Sequence, residues 1–324
     1  MAAGGLVRVA AGVLALSLAG CATRGPYLPQ VLDDAVPRSV ELVTTPFFPQ
    51  REYQCGPAAL AAVLAASGRR TTPDELVGEV YLPGRRGSLQ PEIVAAARRR
   101  GRLAYVLPPE PSALVRQIAA GIPVLVLQKT GAGPWPGWHY AVLVGYDADE
   151  DRFILRSGTE ERLELSAARF FATWDRAGRW GLVTLPPGAL PAQADFARYM
   201  EAAASLEATG RRDDAALAYE AAAAQWPRES LPLLGLANID HARGDPAGAE
   251  RRLRAARDLA PQDAVVRNNR AAILLQLGCP ESAQREIDAA RALAADGPMA
   301  ASVAGTAAAI DAARGPDRPG CPGP

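Results

Sequence analysis

A cysteine and a histidine, 84 residues apart, carry the most legible chemistry in this chain. Cys55 stands in Gln54-Cys55-Gly56-Pro57-Ala58-Ala59-Leu60, just ahead of a proline-initiated helix. In that place the helix dipole and the free main-chain N–H groups favour a thiolate. His139 opens the apolar run His139-Tyr140-Ala141-Val142-Leu143-Val144-Gly145-Tyr146. A thiol activated by an imidazole attacks carbonyl carbon, so acyl transfer from a peptide is the expected chemistry. The tetrahedral oxyanion needs hydrogen-bond donors, and the side chain of Gln50 with the main-chain N–H of Cys55 are the candidates.

The other cysteines sharpen the choice. Of the four in the chain, Cys21 closes Leu18-Ala19-Gly20-Cys21 after an apolar run from Val9 to Leu18 whose only preceding charge is Arg8. That run is shorter than the ~20 residues of a spanning helix and reads as a signal peptide. The small residues before Cys21 resemble a bacterial lipobox, which implies cleavage ahead of Cys21 and acylation of its thiol. Residue 22 is Ala rather than Asp, which by the same resemblance implies the outer membrane, facing the periplasm. In an oxidising compartment Cys279 and Cys321 are free to pair. Cys55 is then left alone, a liability unless its thiol is used.

Around these residues the pattern predicts an α+β unit over 41–186. Helices are expected over 57–67, from the capping-box sequence Thr72-Pro73-Asp74-Glu75, over 91–100 and over 112–119. Strands follow at 103–107, 122–127, 140–146, 152–156, 163–165 and 180–185, with a helix over 166–174. Residues 1–20 are the signal peptide, 21–40 a tether and 187–195 a linker marked by Pro186-Pro187-Gly188 and Leu190-Pro191. Beyond it Gly210, Gly244 and Gly278 recur every 34 residues, as do Ala215, Ala249 and Ala283, and Tyr219, Leu253 and Ile287. A 34-residue helix–turn–helix period is the tetratricopeptide signature, giving three repeats over 196–295, a capping helix over 296–313 and a disordered tail over 314–324. The linker is expected to separate two cores. The stretch from Leu236 to Asp240 is expected to face a concave groove that recruits a protein partner or substrate.

The segment Pro46-Phe47-Phe48-Pro49-Gln50-Arg51-Glu52-Tyr53-Gln54-Cys55-Gly56-Pro57-Ala58-Ala59-Leu60, with the His139-led strand, resembles the double-glycine-leader, bacteriocin-processing peptidase family. The resemblance covers roughly Val43 to Leu185 and implies a papain-like fold with cysteine, histidine, aspartate and an upstream glutamine at the site. Here Gln50 lies five residues before Cys55, where the family has six. No carboxylate follows the histidine strand at the family's place; in Phe153-Ile154-Leu155-Arg156-Ser157-Gly158-Thr159, Ser157 stands there. A hydroxyl orients an imidazole but does not stabilise its charged form as a carboxylate does.

Other classes are disfavoured. Net charge is zero, so nothing points to nucleic acid. No Cys-x-x-Cys, His-x-x-x-His or Gly-rich phosphate loop is present, so no metal or cofactor is expected. Asp147 and Asp149 read as turn residues, Trp135 and Trp138 as groove walls or packing, and His241 as structural or exposed. Two rivals remain open: a catalytically weak scaffold that only binds peptides, and an amidase acting on cell-wall peptides.

Overall fold

The computed structural model describes residues 27–33, 35–131, 137–294, 297–313 and 315–321. Cys21, the signal segment and Trp135 lie outside them. From Tyr27 on, the expected tether is docked: the short helix α1 (Leu28–Val31) buries Leu28 fully, and Leu28 N–H donates to Asp151 at 2.8 Å.

The chain then follows the order expected of the α+β pattern. Strand β1 (Ser39–Glu41) precedes helices α2 (Cys55–Ala66), α3 (Pro73–Val80) and α4 (Gln90–Arg99). Next come β2 (Leu103–Val106), α5 (Pro111–Ala119), β3 (Val124–Thr130), β4 (Gly137–Asp147), β5 (Arg152–Ser157), β6 (Glu160–Ser166), α6 (Ala167–Asp175) and β7 (Gly181–Leu185). The capping box works as read: the Thr72 hydroxyl accepts from Glu75 N–H and donates to the Glu75 carboxylate.

All strand pairs are antiparallel, in the order β2-β7-β3-β4-β5-β6. The long strand β4 is the beam of this sheet. Its first half pairs with β3, its second half with β1, and β5 runs along its other side. Tyr140, Val142 and Val144 point into a core built with Leu60, Leu64 and Ile93 of α2 and α4. Ala141 and Leu143 point into the opposite core, with α5 and α6. A bulge between Leu143 and Gly145 shifts the alternation, so that Tyr146 joins Leu143 on one face. Gly145 is a glycine because β1 crosses there: an added Cβ would stand 2.7 Å from the Val40 carbonyl oxygen.

After the linker come six helices in antiparallel pairs and a seventh: α7 (Phe196–Ala208), α8 (Arg212–Gln225), α9 (Leu231–Ala242), α10 (Pro246–Leu259), α11 (Ala264–Gln276), α12 (Pro280–Ala294) and α13 (Ala300–Ala312). Gly210, Gly244 and Gly278 turn the chain within each pair at φ of 78°, 80° and 78°, a left-handed conformation that strains any residue with a Cβ. This is the all-α repeat region that the 34-residue period predicts. In its last repeat Arg270, one period on from Leu236, is buried between Glu250 (2.9 Å) and Glu286. Cys279 and Cys321 form a disulfide, and Asp317 accepts from Glu281 N–H at 2.7 Å, so residues 315–321 of the tail expected to be disordered are instead strapped to the start of α12.

Two expectations about the repeats fail as well. The Pro-Gly linker does not separate two cores: Tyr199, Leu206, Ala215, Tyr219, Leu236 and Ile239 belong to the same apolar cluster as Leu103, Tyr105 and Leu185. Polar contacts reinforce the join, with Asp195 N–H donating to Tyr105 Oη at 3.0 Å and the Gln117 amide exchanging two hydrogen bonds with Ala192. Nor do Leu236 and Ile239 face a groove; both are buried in that cluster, and only Asn238 between them is exposed. Helical periodicity marks an apolar face without saying which neighbour covers it.

Burying a side chain such as Tyr199 or Leu206 stabilises the fold by about 1.5–3 kcal/mol each. A chain ending at Leu190 leaves Leu103 and Tyr105 uncovered. It is expected to be insoluble or to unfold without a cooperative transition in urea, followed by circular dichroism. A soluble fragment unfolding as cooperatively as the whole chain would contradict the shared core.

Candidate functional site

The site gathers at the start of β4. Helix α2 begins at Cys55 itself, and its residues from Gly56 to Leu64 are all buried. The thiol is thereby fixed at the helix N-terminus, against the sheet. The main-chain N–H groups of Tyr140, Gly56 and Cys55 face the sulfur. Gly56 is required by the close approach of the loop before α4: an added Cβ would stand 2.3 Å from Ser88 Oγ and 2.6 Å from its Cβ. The Tyr140 hydroxyl donates to the Ser88 carbonyl on the same side.

The segment from Pro46 to Gln54 spans the mouth of this corner. Gln50 N–H donates to the Gly158 carbonyl at 2.9 Å, and its side-chain amide donates to the Tyr140 carbonyl at 3.2 Å. Gln50 thus reaches one residue past His139 and one residue past Ser157. One of its two amide N–H bonds is engaged on the strand. The turn that brings the chain from Gln50 to Cys55 puts Tyr53 at φ 61°. Arg156, next to Ser157 and itself buried, donates to the carbonyls of Val43, Thr45 and Glu161. It ties the incoming loop to the hairpin that carries Ser157.

The structure therefore brings Cys55, Gln50, His139 and Ser157 to one corner. The His139 Nε2 atom lies 2.9 Å from Ser157 Oγ. Among the described residues the imidazole's hydrogen bond runs to this serine rather than to the thiol. Asp147 is not part of the site; it accepts from Asp149 and Glu150 N–H within its own turn, and Asp149 pairs with Arg38. His241 is exposed on a repeat helix. Trp138 is exposed beside His139, with Lys129 against its ring. Cys55 is the only free cysteine among the described residues. Among those residues no group of His, Cys, Asp or Glu is arranged to hold a metal.

Residue reading missed the strand's own backbone and three side chains. Tyr140 acts through its main chain, which no residue type announces. Arg156, Ser88 and the partly buried Glu92 carry no motif. Burial, with smaller effects from Cys55 and Glu92, pushes the Tyr140 hydroxyl well above the ordinary phenol range, so it is a fixed donor.

The charges differ from those expected of an ion pair. Burial pushes the Cys55 thiol up, with the three main-chain N–H groups offsetting part of the rise. Burial also pushes the His139 imidazole down. Both shifts favour the neutral forms, so helix position alone does not create a resting thiolate here.

Residues 42–181 match the model of the Peptidase_C39 like family. That stretch is the α+β, antiparallel-sheet domain described above, and it is similar to that family. A C39-like peptidase from Bacillus anthracis is 18% identical, over 46% of this chain and 98% of that one, with a TM-score of 0.38. The peptidase domain of Streptococcus ComA, a bi-functional ABC transporter of a quorum-sensing pathway, is 19% identical over 44% and 98%, at 0.36. The Yersinia enterocolitica type III secretion translocator chaperone SycD is 21% identical over 36% and 83%, at 0.34. No curated protein matches the chain.

The neutral pair has a pH signature. A thiol raised by folding contributes stability below its unfolded value of about 8.5, lost as pH rises through the folded one. A depressed imidazole contributes stability above about 6.5, lost as pH falls through its folded value. Iodoacetamide labelling of Cys55 in the free protein is therefore expected to rise with an inflection above about 8.5. An inflection near neutrality would mean a preformed thiolate and contradict the burial argument.

Proposed function

We propose that the chain is a lipid-anchored cysteine peptidase that hydrolyses peptide bonds by a Cys55–His139 mechanism. The observation that carries this reading is the convergence of Cys55, Gln50, His139 and Ser157 on the main chain at Tyr140. With Nε2–H donated to Ser157, Nδ1 of the imidazole is left as the base. It takes the thiol proton as sulfur attacks the scissile carbonyl, so the ion pair forms with substrate rather than before it. The Cys55 N–H and the remaining Gln50 amide N–H hold the tetrahedral oxyanion; losing one such donor costs about 2.7–4 kcal/mol. The imidazolium then protonates the leaving amine, and the base form of His139 activates water to hydrolyse the thioester.

Ser157 orients the ring but supplies no negative charge to balance imidazolium. That absence, with the neutral resting forms of Cys55 and His139, supports a second reading: a peptide-binding scaffold with little or no turnover. Digestion of a mixed peptide library by the purified chain separates the two. The enzyme reading expects new peptide termini that disappear with Cys55→Ala and fall about 100-fold or more in rate with His139→Ala. Identical peptide maps for the wild type and Cys55→Ala would leave only the scaffold. Muropeptide stems in the same library report amidase action on cell-wall peptides.

The anchor and address belong to the same proposal. Cys21 is the acylation site, and the outer membrane, facing the periplasm, is the location. The Cys279–Cys321 disulfide supports an oxidising compartment. The repeats recruit a protein partner or substrate. Cys21→Ser is expected to leave the protein unprocessed or soluble on cell fractionation. Retention of that variant in membranes at high salt would contradict lipid anchoring.

A further inference from the structure

Seven large apolar side chains are exposed among the described residues, and four of them stand on the segments that carry this corner. Val43 (69% exposed) lies on the loop that Arg156 ties beside Ser157, and Tyr53 (44%) lies between Gln50 and Cys55. Leu89 (36%) follows Ser88, which presses on Gly56, and Trp138 (55%) precedes His139. Apolar groups clustered on an otherwise polar surface mark a place where a partner is bound. Two of the four are aromatic, and each carries a cation. The Arg86 guanidinium carbon is 5.8 Å from the Tyr53 ring centroid, and Lys129 Nζ is 5.4 Å from that of Trp138. Neither cation has a carboxylate partner among the described residues, whereas nearby Arg51 is paired with Asp74. A cation resting on a ring face keeps its charge and is held in place. The corner is thus walled on the Cys55 side and on the His139 side by an aromatic ring carrying a cation that forms no ion pair among the described residues.

We propose that this rim binds an extended peptide in which apolar and acidic residues alternate around the scissile bond. In an extended chain successive side chains point to opposite sides. Leucine-sized groups then lie against Tyr53, Trp138, Val43 and Leu89, while neighbouring carboxylates meet Arg86 and Lys129. The proposal deepens the peptidase reading by naming its substrate class, and for bond cleavage it rests on that reading.

The test separates binding from chemistry. Full-length protein carrying Cys55→Ala is titrated, at low ionic strength, with three fluorescein-labelled octapeptides that alternate leucine with glutamate, glutamine or lysine; anisotropy reports binding. The glutamate peptide is expected to bind about tenfold more tightly than the lysine peptide, as two partly exposed charge contacts allow. That ratio collapses toward one with added salt and in the Arg86→Gln, Lys129→Gln double variant; Lys129→Gln alone halves the effect. Equal affinity for the three peptides, tighter binding of the lysine peptide, no binding of any, or a preference that survives the double variant would overturn the proposal. Charge-selective binding without cleavage by the wild-type chain overturns the peptidase reading instead and leaves the binding surface standing.

Discussion

The main chain of Tyr140 is the constraint on which the site depends. Its N–H faces the Cys55 sulfur, its carbonyl accepts from Gln50, and its neighbour His139 is oriented by Ser157 on the next strand. These groups come from the loop over Pro46–Gln54, from α2, from β4 and from β5. The antiparallel register of β4 with β3 and β5 sets the frame in which they meet. A one-residue slip in that strand would carry Tyr140 out of its core and His139 away from the serine. The bulge before Gly145 and the bare glycine under β1 hold the register from the far end of the strand.

Burial gives this corner its electrostatic character. A thiol at a helix N-terminus is favoured as thiolate in water, but here the sheet and the Ser88 loop withdraw it from solvent. The imidazole is withdrawn as well, and its partner is a hydroxyl. Neutral cysteine and neutral histidine are the stable pair in the absence of ligand. In the proposed mechanism a substrate carbonyl changes that balance, because the proton transfer and the new bond occur together and the charge moves to an oxyanion. On that proposal the thiol hydrolase rests in its neutral form.

The local grammar of the chain was legible where it is short-ranged. The proline after Cys55 and the alanine-rich run beyond it gave α2. Thr72 and Glu75 gave the start of α3, and the 34-residue glycine spacing gave the turns of the repeats. What could not be read depends on which surfaces meet. Pro186-Pro187-Gly188 reads as a boundary, yet Tyr199 and Leu206 cover Leu103 and Tyr105, so the first repeat completes the peptidase-like core. Leu236 and Ile239 sit on the helix where a groove was expected and are buried. Ser157 was found only by resemblance; its hydrogen bond to His139 is a fact of strand pairing. Arg156 and Ser88 position the site through carbonyl oxygens and one close contact, neither of which leaves a trace in residue type.

The central claim is that the Cys55 sulfur is acylated by a bound carbonyl with His139 as its base. Rapid mixing of the purified chain with an activated ester of a leucine–glutamate peptide, followed by acid quench and intact-mass measurement, tests it directly. One acyl group per chain is predicted, mapped to Cys55 after digestion, formed far more slowly in His139→Ala and absent in Cys55→Ala. No adduct, or an adduct whose rate is indifferent to His139, would contradict the account.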